Sequence, residues 1–160
     1  MAAASEMTDT RSDGPLRLVD FDLELPVDPP PMHHTICHFE IPATDPERIA
    51  AFYRTVFDWK IDKVDVGGME YWMVETVPTD ASGRPTEPGV NGGILRKMHP
   101  QQPCANHIQV EDVSAFLERI VAEGGQVALP KTPVPGIGWI GYFKDPEANI
   151  VGLFQADPAA

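Results

Sequence analysis

The pattern that most constrains this chain is one that it writes twice. In "HFEIPATDPERIAAFY" (38–53) a stretch of strand character runs into Asp45, Pro46 and Glu47. Asp45 can accept from the free amides of a first helical turn, Pro46 stands where a missing N–H costs nothing, and Glu47 suits the positive end of the helix dipole. Ile49, Phe52, Tyr53, Val56 and Phe57 then recur at helical spacing as one apolar stripe. The same order restarts in "ANHIQVE": Asp112 is the cap, Val113, Phe116, Leu117, Ile120 and Val121 repeat the stripe, and Gly124-Gly125 end the helix. Three strands follow each helix. In the first copy they are 59–66 and 69–77, joined by a hairpin at Gly67-Gly68, and then "NGGILRK" beyond a Pro/Gly/Ser-rich loop over 78–89. In the second they are "QVALPKT", "WIGYFK" and "IVGLFQ", with turns at "PVPGIG" and "DPEAN".

A sheet with a helix on one face leaves the other face to be covered by a ligand, a partner or a second sheet. Two such copies, about 35–98 and 104–156, can curve their open faces into one cleft lined by equivalent positions. The expected fold class is therefore α+β: two βαβββ modules pairing into a curved mixed sheet around a cleft, a domain over 33–158 with an extension before it.

That extension, residues 1–32, holds seven acids and two bases. Residues 1–14 are too polar to offset their ordering entropy and are expected to be disordered. In "RLVDFDLELPV" Val19, Phe21, Leu23 and Leu25 alternate with acids at the period of a half-buried strand, and "PVDPPP" reads as a stiff linker. Across the chain 24 acids against 12 bases give a net charge of −12, which disfavours nucleic acid and anionic membranes as partners; it allows a cationic ligand without showing one. Cys37 and Cys104 form no disulfide framework, and no signal-like start or apolar run of membrane-spanning length occurs, so a cytoplasmic protein is expected. There is no phosphate-cradling glycine loop, nucleophile elbow or zinc-knuckle spacing. Cys104 has no basic neighbour in sequence to stabilise a thiolate.

The segments "HFEIPATDPERIAAFYRTVFDW", "GVNGGIL", "VEDVSAFLERIVAEGGQV" and "DPEANIVGLFQ" resemble the vicinal oxygen chelate superfamily of glyoxalase I, bleomycin-resistance proteins and extradiol dioxygenases, and among these the glyoxalase-like proteins related to lactoylglutathione lyase. The resemblance implies paired modules around a U-shaped cavity, often completed in a homodimer. In catalytic relatives it implies a divalent metal held by side chains from the first and last strand of each module. His38, seven residues before Asp45, matches a first-strand ligand. Seven before Asp112 lies Ala105; His107 shares its face, and aligning strand ends instead would match His38 with His107. The last-strand positions carry Gly93 and Gly152, which offer no side-chain donor. One or two histidines fall short of a metal site, so the expectation is a cavity without cofactor or metal, Glu40 or a partner-chain residue being the only means of completing one. Asp58 and Ala148 stand where relatives usually have Gly in a turn.

Glu40 and His107 each lie five residues before a helix cap, and with His38 they are the candidate catalytic residues, able to act as base and acid without a metal. The plainer alternative has Glu40 paired with a basic residue and His107 bonded to a carbonyl. Trp72, Gly93, Trp139 and Gly152 are the candidate cavity residues, with Tyr71 and Tyr142 on the same strands; the glycines could admit a ligand or a close approach of the modules, and the aromatics could equally be core. His33, His34 and His99 are expected on exposed linkers. Two functional readings follow. One is a glyoxalase-like protein binding a small organic ligand between its modules, a metal-free lyase or isomerase; the other is a non-catalytic sequestering protein of the bleomycin-resistance type.

Overall fold

The computed structural model describes residues 32–160, so the expected disorder at 1–14 and the strand expected in the extension lie outside the described residues. The first copy consists of β1 (Ile36–Ala43), α1 (Pro46–Phe57), β2 (Lys60–Val66), β3 (Met69–Glu75) and β4 (Gly92–Arg96). The second consists of β5 (Ala105–Gln109), α2 (Val113–Ala122), β6 (Gln126–Val134), β7 (Gly138–Lys144) and β8 (Ile150–Ala156). Both are strand, helix and three strands, so the mixed α+β class read from the sequence is the one observed.

The helix starts are built as their residues dictate. The Asp45 carboxylate accepts from Arg48 N at 3.1 Å, and Asp112 accepts from Ser114 N at 2.8 Å and from Ala115 N. α2 stops where Gly124 turns left-handed at φ 90°, its N–H and that of Gly125 reaching back to Val121 O and Ile120 O. Gly67 and Gly68, at φ 61° and 87°, take the positive angles that a two-residue hairpin requires between β2 and β3.

The eight strands form one curved sheet in the order β2-β3-β4-β1-β5-β8-β7-β6. Its centre is the antiparallel pair β1 and β5, where His38 lies opposite His107 and Glu40 opposite Ala105. Each central strand is flanked by the last strand of its own copy, in parallel: Glu40 is level with Gly93 and His107 with Gly152. The register therefore makes Glu40 the counterpart of His107, and His38 that of Ala105. The alternative strand-end alignment is not the one the fold uses; the two histidines meet as neighbours across the strands.

One core lies beneath each helix. In the first, Ala43, Ala50, Ile61, Trp72, Val74 and Ile94 are buried, with Phe39, Ile41, Ile49, Tyr53 and Trp59 packed around them. In the second, Val110, Val113, Leu117 and Leu153 are buried beneath Ile108, Phe116, Ile120, Trp139 and Phe143. The apolar stripe of α1 is only half used: Phe52, Val56 and Phe57 are 52%, 52% and 55% exposed. The helix settles on its small residue, fully buried Ala50, and on Tyr53, which stacks on Trp59 at 4.9 Å between centroids. This seating turns the other half of the stripe outward.

Candidate functional site

Strand alternation decides which side chains can meet. Phe39, Ile41, Trp72, Val74, Ile94, Ile108, Val110, Trp139, Phe143 and Leu153 all face the helix-side cores. Their neighbours in sequence, His38, Glu40, Tyr71, Gly93, His107, Tyr142 and Gly152, consequently share the opposite face, gathered where the copies meet at β1 and β5.

On that face three expected residues come together, joined by two tyrosines. Tyr142 Oη donates to Glu40 Oε2 at 2.5 Å, and His107 Nε2 lies 3.0 Å from the same phenol oxygen. Because the phenol has one proton and gives it to the carboxylate, it accepts from His107, which fixes the Nε2–H tautomer. His107 Nδ1 is buried and has no partner among the described residues. Beside this chain, His38 Nε2 and Tyr71 Oη share a hydrogen bond of 2.8 Å, and the rings of His38 and His107 meet edge to face at 5.6 Å.

The imidazoles and phenols of the network are uncharged. Burial brings His38 down to about 4; burial and the neighbouring His38 do the same to His107, so both imidazoles are uncharged at neutral pH. Burial pushes the Glu40 carboxyl up, and the Tyr142 hydrogen bond offsets part of that rise. Burial and the charge of Glu40 raise both phenols, which remain proton donors. No Lys or Arg pairs with Glu40 among the described residues, so the basic partner of the plainer reading is not there.

The two glycines make room for this network. A Cβ on Gly93 would stand 2.0 Å from Tyr71 Oη, and one on Gly152 would stand 2.2 Å from the His107 ring. The last-strand positions at which the resemblance puts metal-binding carboxylates are thus filled by a phenol and an imidazole of this chain. Among the described residues no three His, Cys, Asp or Glu side chains are grouped so as to share a metal ion.

The tryptophans expected at the cleft lie on the other face. Trp72 is 1% exposed in the first core, its ring beneath Lys63 Nζ at 5.0 Å. Trp139 packs against the second core and donates from its indole to Asp157. Alternation could not separate them from their neighbours, since "EYWMVE" and "WIGYFK" are apolar on both faces. Tyr142 is the residue whose part sequence reasoning missed: it contacts a carboxylate 102 positions away, and its only local signal is an even spacing from Ile140 along β7. His33, His34 and His99 are exposed as expected. His34 pairs with Glu111 at 3.0 Å.

Paired βαβββ units with polar side chains gathered on the face between them define a class, the glyoxalase-like fold. A model of the Glyoxalase/Bleomycin resistance protein/Dioxygenase superfamily matches residues 35–153, and the chain belongs to that family. It is 31% identical over 121 residues to a "Glyoxylase-like domain-containing protein" of Didymella fabae, covering 74% of this chain and 91% of that one. It is 30% identical over 122 residues to "Putative glyoxylase CFP32" of Mycobacterium tuberculosis, covering 74% of this chain and 44% of that protein. The chain thus spans less than half the length of the mycobacterial relatives it matches. Among solved structures, a methylmalonyl-CoA epimerase of Streptomyces coelicolor in complex with 2-nitronate-propionyl-CoA superposes with a TM-score of 0.58 at 14% identity, over 78% of this chain and 96% of that one. A hypothetical protein of Bacillus halodurans C-125 does so at 0.56 and 12%, over 79% and 96%. At such identities these structures share the fold. No helix among the described residues is long and apolar enough to cross a membrane.

Proposed function

We propose that this chain binds a small organic molecule on the face between its modules and acts on it as a metal-free lyase or isomerase, by proton transfer at a carbon next to a carbonyl. The donor set does not fit the divalent metal of catalytic relatives, because Tyr71 occupies His38 Nε2 and the two carboxylate positions are glycines filled by their neighbours. The observation that carries the reading is Glu40, a half-buried carboxylate that pairs with no Lys or Arg among the described residues and that Tyr142 links to His107.

A carboxylate whose pKa is raised by burial is a better base than a free one. Oε2 is held by Tyr142, while Oε1 accepts no hydrogen bond among the described residues. In the proposed step Oε1 takes the proton of the C–H bond, and the electron pair of that bond moves into an enolate. Tyr71, which keeps its own proton when it accepts from His38 Nε2–H, supports the enolate oxygen with a hydrogen bond, and Glu40 then returns the proton to a neighbouring carbon. Neutral His107 holds Tyr142 in place.

The experiment is deuterium uptake from D₂O, followed by NMR, into hydroxyacetone and into the hemithioacetal of methylglyoxal with 2-mercaptoethanol. Uptake that rises with pH through the raised Glu40 ionisation and is lost in Glu40→Gln supports the proposal. No uptake by the wild type above the buffer rate, with either compound still binding, would favour the sequestering reading.

A further inference from the structure

A recess of about 350 Å³ opens on the same side of the first copy, between β2, β3, the start of β4 and the loop that joins β3 to β4. That size suits a compact ligand, at the low end of small-molecule pockets. His38 forms part of its wall, so the recess borders the proposed chemistry. The apolar lining includes Val64 and Met73, 36% and 40% exposed, side chains that nothing in the described fold covers.

The charged lining is of one sign. Asp62 and Glu75 both line the recess, and among the described residues no Lys or Arg does. The nearby ammonium of Lys60 sits outside the lining, 2.7 Å from Glu75 and 3.7 Å from Asp62, so it offsets one carboxylate of the two. Arg84, on the covering loop, stands beside Asp80. Thr79 Oγ1 donates to Glu75 Oε2 at 3.4 Å and Lys60 to Oε1, so each carboxylate oxygen carries one partner and keeps a second acceptor site. The imidazole of His38 adds no charge.

We infer that this recess is a subsite for an organic cation, an ammonium carried on a short apolar body, whose charge lies against Asp62 and Glu75 and whose body lies on Val64 and Met73. An anionic ligand would meet two carboxylates here, with no cation in the wall among the described residues. The inference rests on the proposed site only in sharing His38, and it names the class of molecule that would be held there.

Phenethylammonium is the probe, with phenylpropionate as a similar-sized anion and acetyl-CoA as a polyanion, measured by calorimetry on the full chain. The expected result is binding of the ammonium alone, weakening as salt is raised, and about tenfold weaker in Asp62→Asn and in Glu75→Gln. Val64→Asp, at the apolar end, serves as a second variant and should also weaken it. Binding in Glu40→Gln should match wild type even where deuterium uptake is lost, so failure of the catalytic reading and failure of this one are told apart. Failure of the ammonium to bind, equal binding of phenylpropionate or acetyl-CoA, or loss in Glu40→Gln with Asp62→Asn and Glu75→Gln unaffected would each overturn the inference.

Discussion

The two copies of the βαβββ unit agree wherever a residue builds the fold and differ wherever one could do chemistry. Asp45 and Asp112 cap equivalent helices in the same way, and Gly93 and Gly152 occupy equivalent places in equivalent strands. Counterparts on the open face do not match. Glu40 is matched by His107, and His38 by Ala105. Pairing with the glycines sets Met73 of one copy against Tyr142 of the other. Had both copies carried the same side chain at each place, like groups would face each other across the twofold. Divergence gives one carboxylate, two imidazoles and two phenols that hydrogen-bond as Glu40–Tyr142–His107 and His38–Tyr71, an arrangement a symmetric pair could not supply.

The largest effect is expected where the shared feature is broken. Gly152→Ala would drive a methyl into the His107 ring and Gly93→Ala one into the Tyr71 phenol; each should cost about 3 kcal/mol, as overpacking does, measured by urea unfolding. Since the clash has a named partner, Gly152→Ala combined with His107→Ala should be less destabilising than the two single costs added together. Additivity would mean that the glycine serves something other than this ring.

Next is the link between the unlike halves. Tyr142→Phe removes the donor to Glu40 and the acceptor for His107, leaving a half-buried carboxylate without its partner, at about 2 kcal/mol near pH 7. Glu40 has a raised pKa in the fold, so its protonated form is favoured there and its contribution to stability is lost as pH rises from the unfolded value through the folded one. The cost of Tyr142→Phe should therefore shrink in acid. An effect independent of pH would place Glu40 outside the interaction.

The histidines give a third, opposite dependence. Both fall from an ordinary 6.5 to about 4 in the fold. Their contribution is complete above about 6.5 and is lost as pH falls from there through about 4, at roughly 1 kcal/mol per histidine between pH 7 and 5.5. His38→Gln and His107→Gln should each flatten that slope in chemical denaturation, and a slope unchanged in both would refute the buried neutral pair.

What the sequence made legible was local. Caps, helix ends and the Gly-Gly hairpin are set by neighbours a few residues apart, and the repeat made each unit a check on the other. Even the equivalence of Glu40 and His107 could be counted from the caps. The face of β3 and β7 that would be buried could not be read, because Tyr71, Trp72, Tyr142 and Phe143 leave no polar face to orient by. Nor could the outward roll of Phe52, Val56 and Phe57, which depends on how Ala50 and Tyr53 seat against a distant sheet. The role of the glycines is of the same kind: their spaces are claimed by the ring of His107, on a parallel strand, and by the phenol of Tyr71, two rungs along. The recess, too, is assembled from residues on separate strands and a loop.

The smallest effects sharpen the comparison at its turns. α1 ends on Asp58 at φ 56°, whereas α2 runs into Gly124 at φ 90°, and the turn before β8 holds Ala148 at φ 65°. A left-handed backbone costs a residue with a Cβ about 1–2 kcal/mol, less for Asp, whose short polar side chain tolerates it, and glycine gives part of that gain back through its freer unfolded chain. Ala148→Gly should therefore stabilise by about 0.5 kcal/mol and Asp58→Gly by less, both read as a shift in the urea midpoint at unchanged slope. Ala148 gains more because its turn is already organised without it: Asp145 accepts from the amides of Glu147 and Asn149, and its carbonyl accepts from Ala148 N, bonds that a glycine preserves. If Asp58→Gly proved the more stabilising of the two, the left-handed angle would be a real burden on the first copy, and the difference between the helix ends would be one of strain as well as sequence.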